Sequence, residues 1–476
     1  MPIGLIGKHL SSKAYSLGAD LCVDSSASMP QKTQTVTLAA MSLGYGVVQL
    51  DVTIVNTALT TIGSGLHADI AALQWVVNAY TIGLAAFILT AGALGDRIGA
   101  KRVFIAGFAL FILASVGCAL APNLGVLIAA RGVQGVGAAV LVPNSLALLN
   151  HAYTEGAARG RAVGFWAAGA SLALTAGPLA GGLLIHLSSW RAIFLVNVPI
   201  GLGGLLLTWR YTQETPPKSS RQLDLAGQAA AMLTLGLLAA SIIEGGKVGW
   251  RNGFVEISSV LVLIFGAAFI FQERRCAQPM LPLELFSRRP FWLSAVVGLW
   301  VNIAFYGLIF VLSLYFQKQN GLSPLQTGLA FVPMMGAVLP FNILAPRLSE
   351  RFGAAVVIAL GAAIAAAGTA GLFIIGKQTP YALLCVQLLA LGGGLGLLVP
   401  PLTSMLLGSV GKARSGIASG VLNSARQTGS VIGVALFGTL IAKDATFMVG
   451  VRIALGLAVG LLLASAAIAI GARNQR

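Results

Sequence analysis

Two charged side chains stand where charge is expensive. Asp51 interrupts the apolar stretch VVQLDVTIVNTAL (residues 47–59), and Arg131 interrupts IAARGVQGVGAAV (residues 128–140). A charge at the centre of a bilayer costs about 2.5–3.5 kcal/mol on insertion scales, so each of these residues needs a partner or a task. A carboxylate buried without a cation takes up a proton, whereas a guanidinium keeps its charge. An acid that pairs with a fixed cation in one state and binds a proton in another can couple proton movement to a change of shape. At about 100° per residue, Ser42, Tyr45, Gln49, Thr53, Asn56 and Thr60 share one stripe of a helix. That stripe is expected to face a cavity. Asp51 falls nearly opposite, with Ala40, Gly44, Val47, Val55 and Ala58, and is expected to bury against a neighbouring helix and pair with Arg131. Gln134 and Ala138 share the face of Arg131, and Gln134 is also a candidate for lining the substrate cavity. A pair that merely orders helices is the simpler alternative.

Further polar side chains inside apolar runs are candidates for lining a cavity. Asn78 and Tyr80 follow Trp75, whose interfacial anchoring explains its own presence. Asn302, Phe305 and Tyr306 form a polar–aromatic patch at i, i+3, i+4 spacing, which suits a lipophilic aromatic ligand or ordinary core packing. Arg426 lies one turn after Asn423 and next to Gln427, both further cavity candidates, with no acid near it in sequence, and a substrate role and a structural one are both open. His9, His67, His151 and His186 are scattered, and Cys22, Cys118, Cys276 and Cys385 have no paired spacing. Neither set implies a metal site, a catalytic dyad or a disulfide framework. The Gly-x-x-Gly-Lys around Lys412 lacks the Ser or Thr of a phosphate loop, and an apolar span rather than a strand precedes it.

The elements that must hold these residues are long apolar helices. The chain has 476 residues, 57% hydrophobic and 9% charged, with 59 glycines. Apolar runs near twenty residues recur from about residue 37 onward, each long enough to cross a bilayer core. About fourteen spans are expected, over 37–60, 74–94, 102–121, 125–147, 163–187, 192–210, 223–243, 254–271, 290–316, 325–346, 354–375, 382–407, 418–441 and 452–471. Alternating loops divide the basic residues 21 to 7, the richer side including both termini, and Arg131 and Arg426 lie within spans. That asymmetry predicts a multi-pass protein of the cytoplasmic (inner) membrane with both termini in the cytoplasm. The net charge of +16 is spread through short loops, which points to anionic lipid rather than nucleic acid. Residues 1–36 read as a disordered cytosolic tail without a signal-peptide core, and Met29 is a plausible start just before the first span.

The chain also repeats itself. Leu94–Gly99 (LGDRIG) aligns with Leu348–Gly353 (LSERFG), and GVGAAVLVP at 135–143 aligns with GGGLGLLVP at 392–400, at offsets of 254 and 257 residues. Two such matches suggest two parallel bundles with a helical pair between them, an arrangement common in transporters; chance similarity of Gly-rich helices is the alternative. The expected organisation is a six-helix bundle over 37–210, two extra helices with linkers over 211–289, and a second six-helix bundle over 290–476.

Five segments resemble motifs of the major facilitator superfamily. GALGDRIGAKR resembles its loop motif through Gly92, Leu94, Asp96, Arg97, Gly99, Lys101 and Arg102, with Ala100 in place of a basic residue. RGVQGVGAA resembles the fourth-helix motif. The fifth span resembles the antiporter motif through Gly164, Gly177, Pro178, Gly181 and Gly182, with Ala173 at one glycine position. LDVTIVNTAL and SARQTGSVIG are similar to the first and thirteenth helices of the fourteen-helix drug–proton antiporters. The resemblance spans about residues 37–471 and implies an all-α membrane protein with the major facilitator fold. It also implies a transporter rather than an enzyme, driven by the proton gradient without a bound cofactor. Physically, the loop motif reads as an ion-pair latch between bundles or as a tight turn with topological charge. Gly-Pro in the fifth span reads as close helix packing, and the resemblance adds export.

These readings converge on a proton-coupled antiporter that exports lipophilic drugs or related small compounds by alternating access. Proton-coupled uptake of a nutrient and dedicated export of one natural product are the alternatives. Expected partners are a small-molecule substrate, protons and membrane lipids, with no nucleic acid, acting as a monomer with or without accessory export proteins.

Overall fold

A computed structural model describes residues 30–217, 224–276, 279–376, 379–410 and 415–473. The expected tail lies almost wholly outside the described residues, as do Lys412 and Arg414. Among the described residues the chain is helical, in fourteen long helices. The first six are α1 (Gln31–Leu66), α2 (Ile70–Ile98), α3 (Ala100–Ala119), α4 (Leu124–Ala152), α5 (Gly156–Leu187) and α6 (Ala192–Tyr211). Next come α7 (Leu225–Val248) and α8 (Gly253–Arg275). The last six are α9 (Arg289–Gln319), α10 (Pro324–Phe352), α11 (Ala354–Ile374), α12 (Tyr381–Gly408), α13 (Ser415–Leu440) and α14 (Phe447–Arg473).

Several helices outrun their apolar segments. Helix α5 begins at Gly156, seven residues before the apolar run at 163, because GAARGRA is polar yet still helical. Helix α1 continues past residue 60 to Leu66 through a 3₁₀ stretch at Val55–Ala58. Hydropathy marks the slab inside lipid, whereas backbone hydrogen bonding carries a helix beyond it. The reverse holds for α13. It has full length, but it is not among the thirteen described helices apolar enough to cross a membrane by composition.

Helices α1–α6 pack on one another, and so do α9–α14; α7 pairs with α8 and leans on both α2 and α13. The two halves of the sequence repeat adopt the same backbone. Gly99 and Gly353 each separate two helices at positive φ, 102° and 87°, where a side chain would be strained. Pro143 and Pro400 each lie inside a helix, α4 and α12 respectively.

Alternation of direction places the helix ends on two faces, here called the terminal face, bearing both chain ends, and the opposite face. The α1–α6 and α9–α14 sets meet near the opposite face. Thr60 hydrogen bonds to Gln317, the Ser313 hydroxyl donates to the Asn56 carbonyl, and Gln74 donates to Val434 O at 3.0 Å. A Cβ on Gly182 would lie 2.5 Å from Pro324 O, and one on Gly328 would strike Pro178 O, so α5 and α10 touch backbone to backbone there. The same stripe of α5 continues toward the terminal face through Gly164, Ala167 and Ala168, all exposed, and α10 is bare at Gly336 and Ile343. Between α5 and α10 the seam is thus sealed near the opposite face and parted toward the terminal face, whereas α2 and α13 stay packed there, a Cβ on Gly420 lying 2.6 Å from the Leu89 side chain.

Candidate functional site

Asp51 is fully buried, and the pairing read from the sequence is present. Arg131 donates from Nη1 to Asp51 Oδ2. The second carboxylate oxygen accepts from Gln134 Nε2 at 2.9 Å and from Asn197 Nδ2 at 2.9 Å. Ser115 supports both amides, accepting from Gln134 at 2.9 Å and from Asn197 at 3.4 Å. Arg131 is further satisfied by Gln134 Oε1 at 2.7 Å and Val76 O at 3.1 Å, with Tyr80 stacked 4.3 Å from its guanidinium. The acid on α1 is therefore enclosed by donors from α4 and α6, which Ser115 of α3 braces. An ion pair in so dry a place is tolerable only because its remaining hydrogen-bonding positions are filled.

This geometry reassigns two expected cavity residues. Gln134 and Tyr80 are fully buried and belong to the Asp51–Arg131 cluster; the Tyr80 hydroxyl donates to Val48 O at 3.2 Å. Asn197 and Ser115 complete the cluster and were missed in the sequence. The signal available was an Asn in the apolar run LVNVPIG and a Ser in LASVG.

The stripe expected to line a cavity from α1 is mostly a helix seam. Thr53 is fully buried and donates to Leu174 O of α5 at 3.0 Å, and Asn56 is buried with its amide on Val52 O at 3.1 Å. The reason is close packing: Ser42, Thr53 and Thr57 meet Gly169, Gly177 and Gly181 of α5, small residues facing glycines. Four members keep partial exposure. Ser42, Tyr45, Gln49 and Thr60 are half-buried, and the Tyr45 ring stacks on Trp166 with centroids 4.3 Å apart and planes at 19°. Across from them, Tyr306 and Phe305 of α9 meet edge-on at 5.0 Å. Arg426 of α13 is half-buried and lies within electrostatic reach of both Tyr45 and Tyr306. Aromatic side chains from both helix sets and one guanidinium thus share the central space.

The other candidates are less committed. Asn302 and Asn423 donate back to their own helices, to Gly298 O at 2.7 Å and Ser419 O at 3.1 Å. Asn78 is buried with neither amide atom partnered, and Gln427 is buried with Oε1 unpartnered. In the antiporter motif, Gly177 and Gly181 accommodate α1, while Pro178 and Gly182 accommodate α10; Gly164 has open space around it.

In the loop motif at the terminal face, Gly99 shapes the turn, Gly92 lies within α2 against Pro143 of α4, and Arg97 is exposed. Glu214, from the strand of chain after α6, accepts from the backbone of Lys101 at 2.7 Å and Arg102 at 3.1 Å, and pairs with the Arg102 side chain at 3.8 Å. Thr215 accepts from Ala100 N at 2.9 Å. The start of α3 is therefore capped by an acid from its own half, in the favourable field of a helix N-terminus. Among the described residues, no group of His, Cys, Asp and Glu gathers that could hold a metal.

Comparison with known proteins agrees with this architecture. The sequence matches the Major Facilitator Superfamily over residues 41–434. It is 35% identical over 414 residues to a methylenomycin A resistance protein of Bacillus subtilis (strain 168), covering 87% of this chain and 89% of the relative. It is 37% identical over 411 residues to the multidrug resistance protein Stp of Mycobacterium tuberculosis (strain CDC 1551 / Oshkosh), covering 86% of this chain and 76% of that one. A crystal structure of the peptide transporter POT with sulfate superposes with a TM-score of 0.69 at 16% identity, covering 92% of this chain and 94% of that one, a likeness of fold. The chain belongs to the major facilitator superfamily and is a membrane transporter, not an enzyme.

Proposed function

We propose that this protein is a proton-coupled antiporter that exports drugs or related small organic compounds across the cytoplasmic membrane. The observation carrying the proposal is the enclosure of Asp51: a lone mid-span acid, paired with Arg131 and held by Gln134 and Asn197, away from the aromatic space. Proton and substrate then occupy different sites on one moving body. Deprotonated Asp51 pairs with Arg131 and favours one arrangement of the helix sets. Protonation removes the pair and frees Arg131, Gln134 and Asn197 to rearrange, which favours the other arrangement. Each cycle admits one proton as one substrate leaves.

The basic-residue asymmetry supports a cytoplasmic terminal face, so the parted seam opens toward the cytoplasm, where an exporter loads. The relatives named for antibiotic and multidrug resistance support drugs as cargo. The proton gradient supplies the energy without a bound cofactor, and one copy of the chain contains the whole coupling site.

The test uses inside-out vesicles that hold a proton gradient. Adding a transported drug dissipates the gradient with the wild type and does not with Asp51→Asn, while Asp51→Asn is still inserted and folded. Drug-driven dissipation of equal rate in Asp51→Asn refutes the mechanism.

A further inference from the structure

Arg426 is a cation without an anion. It sits eleven residues into α13, about 16 Å along the helix axis from its start, well inside the membrane-spanning length. Its guanidinium stays charged at any working pH. Among the described residues no carboxylate pairs with it and no hydrogen bond ties it down. The sequence offers it few acids: of fourteen Asp and Glu residues, Asp51 is the one at mid-span, and it is committed to Arg131. The central space therefore carries a net positive charge. Such a charge is costly in a helix centre unless something offsets it.

The surroundings of Arg426 are flat and aromatic rather than polar. Tyr45 and Trp166 form a stacked pair on one side, and Tyr306 with Phe305 forms an edge-on pair on the other. Tyr45 and Tyr306 both lie within electrostatic reach of the guanidinium, whose stem packs 4.0 Å from the Cβ position of Gly298 on α9. A guanidinium binds a carboxylate through two parallel N–H donors, and aromatic faces bind a flat apolar body.

Resting on the transporter reading above, we propose that the central cavity selects flat, largely apolar compounds that carry a carboxylate, with Arg426 binding the carboxylate and Tyr45, Trp166 and Tyr306 binding the body. The substrate anion offsets the charge of Arg426, so loading joins α13 of one helix set to α1 and α5 of the other. A cationic compound of the same shape meets repulsion at the same place.

The test is ligand binding to the full-length protein in lipid nanodiscs, read by tryptophan fluorescence and checked by calorimetry. Three probes of one shape are compared: 2-naphthoate, 2-naphthamide and 2-naphthylmethylammonium. The naphthoate binds at least about tenfold more tightly than the amide, the worth of one charge-assisted contact, and the ammonium binds weakest. In Arg426→Gln the naphthoate loses about tenfold or more while the amide changes little. Arg426→Lys, which keeps the charge without the fork, falls between and covers the case in which the glutamine variant does not fold. Equal binding of the three probes, absence of saturable binding of any, or an unchanged naphthoate preference in both variants overturns the proposal. Proton coupling is judged separately: a naphthoate preference without naphthoate-driven loss of the vesicle gradient removes the antiport reading and leaves the anion site. Gradient loss driven by the ammonium, equal in Arg426→Gln, does the opposite.

Discussion

Replacing Asn197 with Leu tests the coupling site without touching either member of the ion pair. Asn197 Nδ2 lies 2.9 Å from Asp51 Oδ1, so it stabilises the ionised carboxylate directly. A hydrogen bond to a charged group contributes about 1.5–3 kcal/mol. Losing it weakens the paired arrangement by about tenfold to a hundredfold, at about 1.4 kcal/mol per decade. Arg131 and Gln134 remain in place, so the site still cycles. Gradient-driven efflux should therefore slow by about tenfold or more, while drug exchange without a gradient is little affected. Ser115→Ala is the comparison. Ser115 does not touch Asp51; it accepts from Gln134 and Asn197, and a neutral hydrogen bond contributes about 0.5–1.5 kcal/mol, so its effect is smaller and in the same direction. The assay is drug efflux from proteoliposomes at fixed gradient, beside drug exchange with no gradient. Gradient-driven efflux by Asn197→Leu equal to the wild type refutes the argument that this cluster couples transport to protons.

Gly328→Ala should jam the seal between α5 and α10, because its Cβ would strike Pro178 O. Overpacking of about 1–3 kcal/mol shifts the population toward opening at the opposite face, which raises the reactivity of a Thr60→Cys thiol toward an impermeant reagent; unchanged reactivity would contradict the sealed geometry. Glu214→Ala should lower thermal stability by about 1 kcal/mol through loss of the α3 N-terminal interactions, as read by detergent-phase unfolding, and an unchanged midpoint would show that the cap is idle. Asp69 caps α2 and pairs with Lys247 at 3.0 Å; partial burial opposes its ionisation, but the Ala72 N–H and the Lys247 ammonium win and hold its carboxyl below the usual range. Its contribution is then complete above the unfolded value of about 3.9 and lost only as pH falls through the lower folded value. Asp69→Asn should change stability equally at pH 5 and 8 and converge with the wild type only at stronger acid; a difference that varies between pH 5 and 8 would contradict this.

What the sequence revealed depended on how local the determinant was. Fourteen helices were legible because each apolar run carries its own evidence, and the Asp51–Arg131 pair was legible because two mid-span charges of opposite sign have few other choices. Faces were legible too, since a helical wheel separated Asp51 from Thr53. Partners were not. The wheel gave Ser42 and Thr53 a place on a polar stripe, and only the neighbouring helix shows that they meet glycines of α5 instead of open space. Gln134 and Tyr80 were placed in a cavity for the same reason, although both close around Arg131. Glu214 escaped notice because it caps a helix 113 residues away from it in sequence, a distance at which no local pattern operates.

Helix α13 has a consequence for how the chain is made. With Asn423, Ser424, Arg426, Gln427 and Thr428 in succession, it is the described long helix that composition alone would not send into lipid. Its neighbours supply what it lacks: α9 packs along it, with Gly429 and Gly433 against Leu299 and Ile303, and α2 packs along another side. The apolar α14 follows directly. The placement of α13 within the bilayer thus leans on its packing against α9 and α2 more than on its own hydropathy. Biogenesis therefore sets a limit on the cargo site. Any change that makes the polar face of α13 more apolar eases insertion, and any that adds charge strands the helix at the membrane surface before a transporter exists.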